Sequence, residues 1–109
     1  MEYKYYIAYT TTDSKSAAKN IARELIKQKI AACCSIINNI ESIYFWENQI
    51  CDDEEYLLMI KTTKSKIDRL KNAISELHNY DTPEILIVPV VAGSEKYLNW
   101  IDNTIERND

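Results

Sequence analysis

The chain has 109 residues, of which 46% are hydrophobic and 28% charged, and its formal net charge is −4. This length predicts one domain covering residues 1–109, and the composition excludes a disordered chain. An acidic balance without a lysine or arginine cluster excludes nucleic acid as an expected partner, and the lack of an apolar run of about 18 residues excludes membrane insertion.

Alternating and helical patterns of apolar residues predict two single strands, a long hairpin and three helices. In chain order they are strand Tyr3–Thr10, helix Ser14–Lys29, hairpin Ala31–Thr63, helix Lys66–His78, strand Glu84–Ala92 and helix Glu95–Ile105, with residues 106–109 frayed. Side-chain oxygens around Ser14 predict the start of the first helix. Ser65, with Asp68 three residues later, predicts a capping box for the second helix.

The hairpin is the longest feature of the predicted fold. Its first arm ends at Trp46, a polar corner covers Glu47, Asn48 and Gln49, and the second arm begins at Ile50. Typical strands are about 5–6 residues long, so arms of this length are expected to bend or bulge, at Asn38–Asn39 and Asp52–Asp53. The ribbon is apolar on both faces near its tip, and a small domain cannot cover it. We therefore expect another subunit to do so.

The element order β-α-β-β-α-β plus a terminal helix predicts an α+β fold of the split β-α-β type. Such a fold has an antiparallel sheet with its two main helices on one face. Pro89 cannot donate to a strand ladder, so the last strand is placed at one sheet edge, and the first hairpin arm is placed at the other. Two long apolar edges and an open face predict a closed homo-oligomer.

Three cysteines, Cys33, Cys34 and Cys51, provide neither an even number nor a Cys-x-x-Cys spacing. This excludes a disulfide framework and a structural zinc site. The N-terminal residues lack the pattern of a signal peptide, and we therefore expect a reducing, cytoplasmic location.

Five segments occur together in an order and at spacings that resemble the CutA family of divalent-cation tolerance proteins. They are Ile30–Cys33, Ser42–Glu47, Leu58–Thr62, Leu77–Ile85, and Gly93 with Tyr97–Trp100. The resemblance implies a ferredoxin-like subunit, with an extended hairpin and a C-terminal helix, in a homotrimer similar to that of PII-type signalling proteins. It also implies a link to copper and other divalent metals, and no established enzymatic activity.

The resemblance is imperfect at positions that matter for copper. Some metal-binding members have a cysteine where Tyr9 stands, and a second histidine where Leu77 stands. Without them a soft copper site is in doubt. We expect at most a loosely bound Cu(II) or other divalent metal, not a tightly held cofactor.

His78 is the only histidine and the first candidate metal ligand. The alternative is a structural role as a cation at the C-terminus of a helix. Because one imidazole cannot hold a metal tightly, Glu55 and Glu84, or groups of a neighbouring subunit, would have to join it.

Further candidates match the inter-subunit cleft of the family. They are Tyr44, Trp46, Lys61, Tyr80 and Glu84, with Cys33 lining a pocket or filling the core. One interpretation is trimer packing, because tyrosine and tryptophan are favoured at interfaces. The other is a ligand pocket in which Lys61 binds an anion and Glu55 a cation.

Two functional hypotheses follow. The first is a trimeric cytosolic protein for copper or other divalent metal binding and tolerance. The second is a trimeric scaffold or signalling module that binds a small ligand or a protein partner in its inter-subunit clefts. No activated nucleophile, phosphate loop or catalytic triad is recognisable, so we expect no enzyme.

Overall fold

The computed structural model describes residues 2–107. The strands are β1 (Tyr5–Thr12), β2 (Cys33–Trp46), β3 (Gln49–Thr63) and β4 (Leu86–Pro89), and the helices are α1 (Lys15–Lys27), α2 (Ile67–Leu77) and α3 (Glu95–Glu106). Helix α3 includes Glu106, which was expected to fray. Arg107 follows the end of the helix, and residues 108 and 109, to which the expectation also applied, lie outside the described range.

The four strands form one antiparallel sheet in the order β2-β3-β1-β4. Helices α1 and α2 pack on the same face, where Leu25 and Ile74 join Ala8, Leu58 and Ile60 of the sheet in one buried cluster. This is the predicted α+β, ferredoxin-like arrangement, and β2 and β4 occupy the two predicted edges.

Strands β1 and β4 differ in extent from the predictions because their pairing decides where they end. Strand β1 continues to Thr12, which lies opposite Tyr56 of β3. Strand β4 is shorter than expected. Only Leu86–Pro89 have partners in β1, and Val90 adds a single bond from its N–H to the carbonyl of Tyr5 at 2.9 Å.

The hairpin contains one of the two predicted bulges. The pairing shifts between Ile37 and Ile40, so Asn38 and Asn39 together face Tyr56 of β3. Asn39 has a φ of 56°, a left-handed conformation that asparagine tolerates better than most residues. The bulge expected at Asp52–Asp53 is wrong, since both residues pair in regular register with β2. Asp52, Asp53 and Glu54 are exposed residues of an ordinary strand.

The hairpin turn is tighter than the predicted corner. It contains only Glu47 and Asn48, with φ values of 49° and 62°, while Gln49 already pairs with Trp46. Two consecutive positive φ values define the type I′ turn, whose twist matches that of the strands it joins.

The helix starts were predicted with mixed success. Ser14 caps α1 by accepting a hydrogen bond from the N–H of Ala17, and Ser94 caps α3 in the same way. The capping box at Ser65 is wrong, because a 3-10 turn over Lys64–Lys66 precedes α2. The Ser65 hydroxyl instead donates to Glu106 of α3, and this hydrogen bond holds the side chain that would otherwise cap α2.

The sheet face opposite α1 and α2 is largely open, and we call it the open face. Helix α3 covers only one end of it, where Ile101 and Ile105 pack with Tyr5. The rest carries half-buried or exposed apolar side chains, namely Ile7, Tyr9, Ile37, Leu57, Met59, Leu86 and Val88. The tip of the hairpin is more exposed still, with Ile43 and Phe45 at 68% and Ile50 at 79%.

Candidate functional site

A cleft of about 670 Å³ lies between the outer half of the hairpin and the segment that follows α2. It contains four carboxylates and three large aromatic rings, and no lysine, arginine or histidine is part of its lining. The lining residues are Thr11, Glu41, Ser42, Ile43, Tyr44, Trp46, Glu55, Tyr80, Asp81, Thr82 and Glu84. Five of the eight predicted site residues therefore meet here, namely Tyr44, Trp46, Glu55, Tyr80 and Glu84.

Glu55 and Tyr80 form the inner contact of the cleft. Glu55 is only 8% exposed, and its Oε2 accepts a hydrogen bond from the Tyr80 hydroxyl at 2.8 Å. Burial, followed by this contact with Glu55, raises the pKa of Tyr80 well above that of an ordinary tyrosine. Tyr80 therefore remains a neutral donor at physiological pH and fixes the orientation of the carboxylate.

A second tyrosine–carboxylate pair lies further out on the hairpin. The Tyr44 hydroxyl donates to Asp53, across the ribbon and on the same face as Glu55. The hydrogen bond to Asp53, with a smaller effect of lost hydration, raises the pKa of Tyr44 to about 12. The cleft thus has two protonated tyrosines that donate to carboxylates and leave the negative charge of those carboxylates in place.

Glu41 and Asp81 are cleft residues that the sequence patterns did not single out. A hydrogen bond with Asp52 and repulsion from its charge raise the pKa of Glu41. Asp81 is exposed and follows Tyr80 in the segment between α2 and β4. The signal that could have found Asp81 is its place inside the Leu77–Ile85 segment, next to Tyr80.

His78 lies behind the cleft, where both of its ring nitrogens are already bonded. Its Nδ1 accepts from the N–H of Tyr80 at 3.0 Å, which leaves the proton on Nε2, and Nε2 donates to the carbonyl of Thr11 at 2.7 Å. His78 is 8% exposed, and the centroid of its ring lies 4.6 Å from that of Tyr80, with the two ring planes tilted by 47°. His78 therefore has no free lone pair in this conformation, and a role as metal ligand requires one of these bonds to break.

Cys33 and Lys61 lie apart from this cleft, on the open face at the far end of the hairpin. The Lys61 ammonium donates to the Ser35 hydroxyl at 2.6 Å and lies 3.9 Å from the Cys33 sulfur. Tyr97 also contacts Cys33, and burial together with that contact raises the pKa of Tyr97. Within the chain the predicted set therefore divides into two groups, and Lys61 and Glu55 do not share a pocket.

The described residues of one chain do not form a metal centre. Within residues 2–107, no three His, Cys, Asp or Glu side chains are grouped in a way that could hold a metal ion. Glu55 and Glu84 line one cleft while His78 lies outside it. A tightly held divalent ion therefore does not fit this arrangement.

The fold and the cleft define a class: a ferredoxin-like α+β domain with an acidic, aromatic cleft beside a long hairpin. The sequence model of a family described as CutA1 divalent ion tolerance protein matches residues 6–104. The chain belongs to this family, whose description refers to divalent cations and names no reaction.

Individual relatives agree with this assignment. Divalent-cation tolerance protein CutA of Thermus thermophilus is 36% identical over 99 residues, which cover 90% of this chain and 96% of that protein. The chloroplastic protein CutA of Arabidopsis thaliana is 39% identical over 98 residues, and the match spans only 54% of that protein. The chain therefore covers about half the length of this plant relative.

The structural comparison gives the same result. The crystal structure of CutA1 from Oryza sativa superimposes with a TM-score of 0.90 at 39% identity and covers 94% of each chain. The TM-score shows that the two chains share a fold, and the sequence identity supports their membership of the same family. In the part of the chain that the structure describes, no helix has the length and apolarity needed to cross a membrane.

Proposed function

We propose that the chain acts in divalent-cation tolerance as a homotrimer that binds Cu(II) or another divalent cation loosely in the acidic cleft. The observation that carries the proposal is the grouping of Glu41, Glu55, Asp81 and Glu84 around one cleft whose lining contains no basic residue. Their negative charge raises the local concentration of cations even without a complete coordination shell. Family membership supports the link to divalent cations.

The donor set favours loose binding through oxygen. Glu55 and Glu84 are the proposed ligands, while His78 supports the backbone of its own chain at Thr11 and Tyr80 through its two hydrogen bonds. Carboxylates suit hard cations such as Mn(II), whereas copper gains most from imidazole and thiolate ligands. We expect a dissociation constant on the order of 10⁻⁴ M or weaker, the range of open oxygen-ligand sites.

The proposed trimer is supported by the apolar surface that one subunit leaves uncovered. The open face and the hairpin tip, where Ile50 is 79% exposed, together expose more apolar surface than the scattered apolar residues of an ordinary monomer do. A neighbouring copy on this face would bury them, and a closed ring of three copies would leave no such face exposed. The expected cytoplasmic location stays a prediction, since one relative is described as chloroplastic.

Calorimetric titration with Cu(II) and Mn(II) tests the metal site. Glu55→Gln and Glu84→Gln should each weaken binding, whereas Glu76→Gln, the same charge change on an exposed residue of α2, should leave it unchanged. Cu(II) electron paramagnetic resonance should show no nitrogen splitting, because the sole histidine keeps its internal bonds. A nitrogen-coordinated spectrum that disappears in His78→Gln would reject the oxygen site and make His78 a ligand.

The second candidate function, a scaffold or signalling module with a ligand or partner in the cleft, is favoured by the aromatic lining. Tyr44, Trp46 and Tyr80 offer apolar faces that a bare metal ion does not need. Trp46→Ala should then leave the trimer intact by light scattering and abolish partner binding. Metal binding only at millimolar concentration would strengthen this alternative over the first.

A further inference from the structure

The cleft carboxylates are distributed along its walls and do not surround one point. Glu41 lies in β2, Glu55 lies in β3, and Asp81 and Glu84 lie in the segment between α2 and β4. Within the described residues they form no cluster able to hold a metal, and none of the four takes part in an ion pair. A single ion can reach few of them, whereas a ligand with several spaced positive charges can reach more.

Glu55 provides the most specific recognition element. It is buried to more than nine-tenths, lines the cleft, and uses only Oε2 to accept the hydrogen bond from Tyr80. Its other oxygen accepts no hydrogen bond from residues 2–107. That oxygen remains accessible from the cleft, so it can accept a charge-assisted hydrogen bond from a ligand that brings an N–H group to it. This requirement selects a protonated amine over a quaternary ammonium, which has no proton to donate.

The aromatic half of the cleft complements an alkyl chain. Tyr44 and Trp46 line one side, and Tyr80 lines the other. Ring faces attract ammonium groups and also pack well against methylene groups. The volume of about 670 Å³ accommodates a flexible molecule considerably larger than a hydrated ion.

We propose that the cleft binds a linear aliphatic polyamine. One ammonium group donates to the free oxygen of Glu55, a second is held near Asp81 and Glu84, and the methylene segments lie against Tyr44 and Trp46. The inference shares the cleft with the proposed function, but it requires spaced charges and aromatic contacts where the metal proposal requires only carboxylates.

Titration with spermidine, followed by calorimetry and by the fluorescence of Trp46 in a Trp100→Phe background, tests the proposal on the full chain. Glu55→Gln should weaken spermidine binding at least tenfold, and Trp46→Ala, at a half-exposed position that is safe for folding, should weaken it severalfold. Glu76→Gln, with the same change in net charge, should leave the affinity unchanged. Circular dichroism of each variant confirms that the fold is intact.

The results separate this proposal from the metal site. Binding of spermidine but not of Mn(II), with the Glu55 dependence, supports the polyamine and refutes the metal function. Binding of Mn(II) but not of spermidine does the reverse. Equal weakening by Glu55→Gln and Glu76→Gln shows non-specific attraction to an acidic protein and overturns the polyamine site, as does unchanged affinity in Trp46→Ala.

Discussion

Replacement of His78 is the most direct test of the role that its hydrogen bonds give it. His78→Ala leaves the carbonyl of Thr11 and the N–H of Tyr80 without their partner. Each backbone group left unpaired costs about 1–3 kcal/mol, so for the two groups we expect a total loss of about 2–6 kcal/mol in the free energy of unfolding. This is a large part of the stability of a small domain.

Two further variants separate the two bonds. In His78→Asn the side-chain oxygen can accept from the N–H of Tyr80, as in a local Asx turn, but the side chain is too short to reach Thr11. In His78→Gln the amide can donate to Thr11, but it loses the local bond. Each variant should therefore cost about 1–3 kcal/mol, less than His78→Ala.

Urea denaturation at one fixed protein concentration measures these differences, because any association of subunits adds to the apparent stability. The measurement is made with a chelator present, so a metal cannot contribute. Glu76→Ala, on the exposed side of α2, serves as control and should stay within about 0.5 kcal/mol of the parent chain. A His78→Ala variant equally close to the parent would show that the two bonds do not stabilise the fold, and a ligand role would regain weight.

Three other predictions follow from different parts of the chain. Ile43→Asp at the hairpin tip should weaken assembly and lower the mass measured by light scattering below three times 12.7 kDa. The control Lys27→Asp on α1 should leave that mass unchanged. An equal loss of mass in both variants would refute the proposed interface. Hydrogen bonds, the strongest from Ser65, lower the pKa of Glu106. The contribution of its carboxylate to the free energy of unfolding is therefore present above the ordinary glutamate pKa and is lost as the pH falls through the lowered value. Glu106→Gln should flatten this part of an acid denaturation curve, and an unchanged curve would contradict it. Burial raises the pKa of Cys34 to about 12, so in a variant with Cys34 as the only cysteine its alkylation at pH 8, followed by mass spectrometry, should be much slower than that of a free thiol.

Patterns within a single element were sufficient to predict most of the fold. The apolar stripe of α1 needs only the spacing of Ala18, Ile21 and Leu25, and these residues are buried as that spacing requires. The position of β4 at an edge needs only the missing N–H of Pro89. Element order then leaves few sheet topologies, and the observed order is the one expected for a split β-α-β chain.

The predictions that were wrong depended on contacts between elements distant in sequence. Ser65 has the sequence of a cap, yet Glu106, 41 residues away, takes its hydroxyl. Asp52 and Asp53 are poor strand formers, yet regular pairing with β2 keeps them in the ladder. A contact with a residue distant in sequence can override local secondary-structure propensity, and such a partner cannot be identified from the sequence pattern of one element.

The candidate site is harder to predict for the same reason. Tyr80 and Glu55 are 25 residues apart, and His78 and Thr11 are 67 residues apart, so no short motif contains either contact. The residue types were recognisable, but their division into a cleft and a separate Cys33–Lys61 group was not. Histidine chemistry alone favours a structural role for His78, the family resemblance adds the ligand role, and the geometry of two bonded nitrogens shows which contacts a ligand role would have to break.

The bulge at Asn38–Asn39 connects the fold to the site. Side chains alternate between the two faces of a strand, so one extra residue moves every later side chain to the opposite face. Before the bulge Cys33 and Ile37 share a face with Leu57 of β3, and after it Tyr44 occupies that same face, opposite Cys51. If the same residues continued in unbroken alternation without the bulge, Tyr44 would lie on the face of α1 and α2, and the aromatic wall beside Glu55 would be lost. The composition of the cleft is therefore determined by a local irregularity in strand register, which the asparagine pair at this position makes possible by tolerating a positive φ.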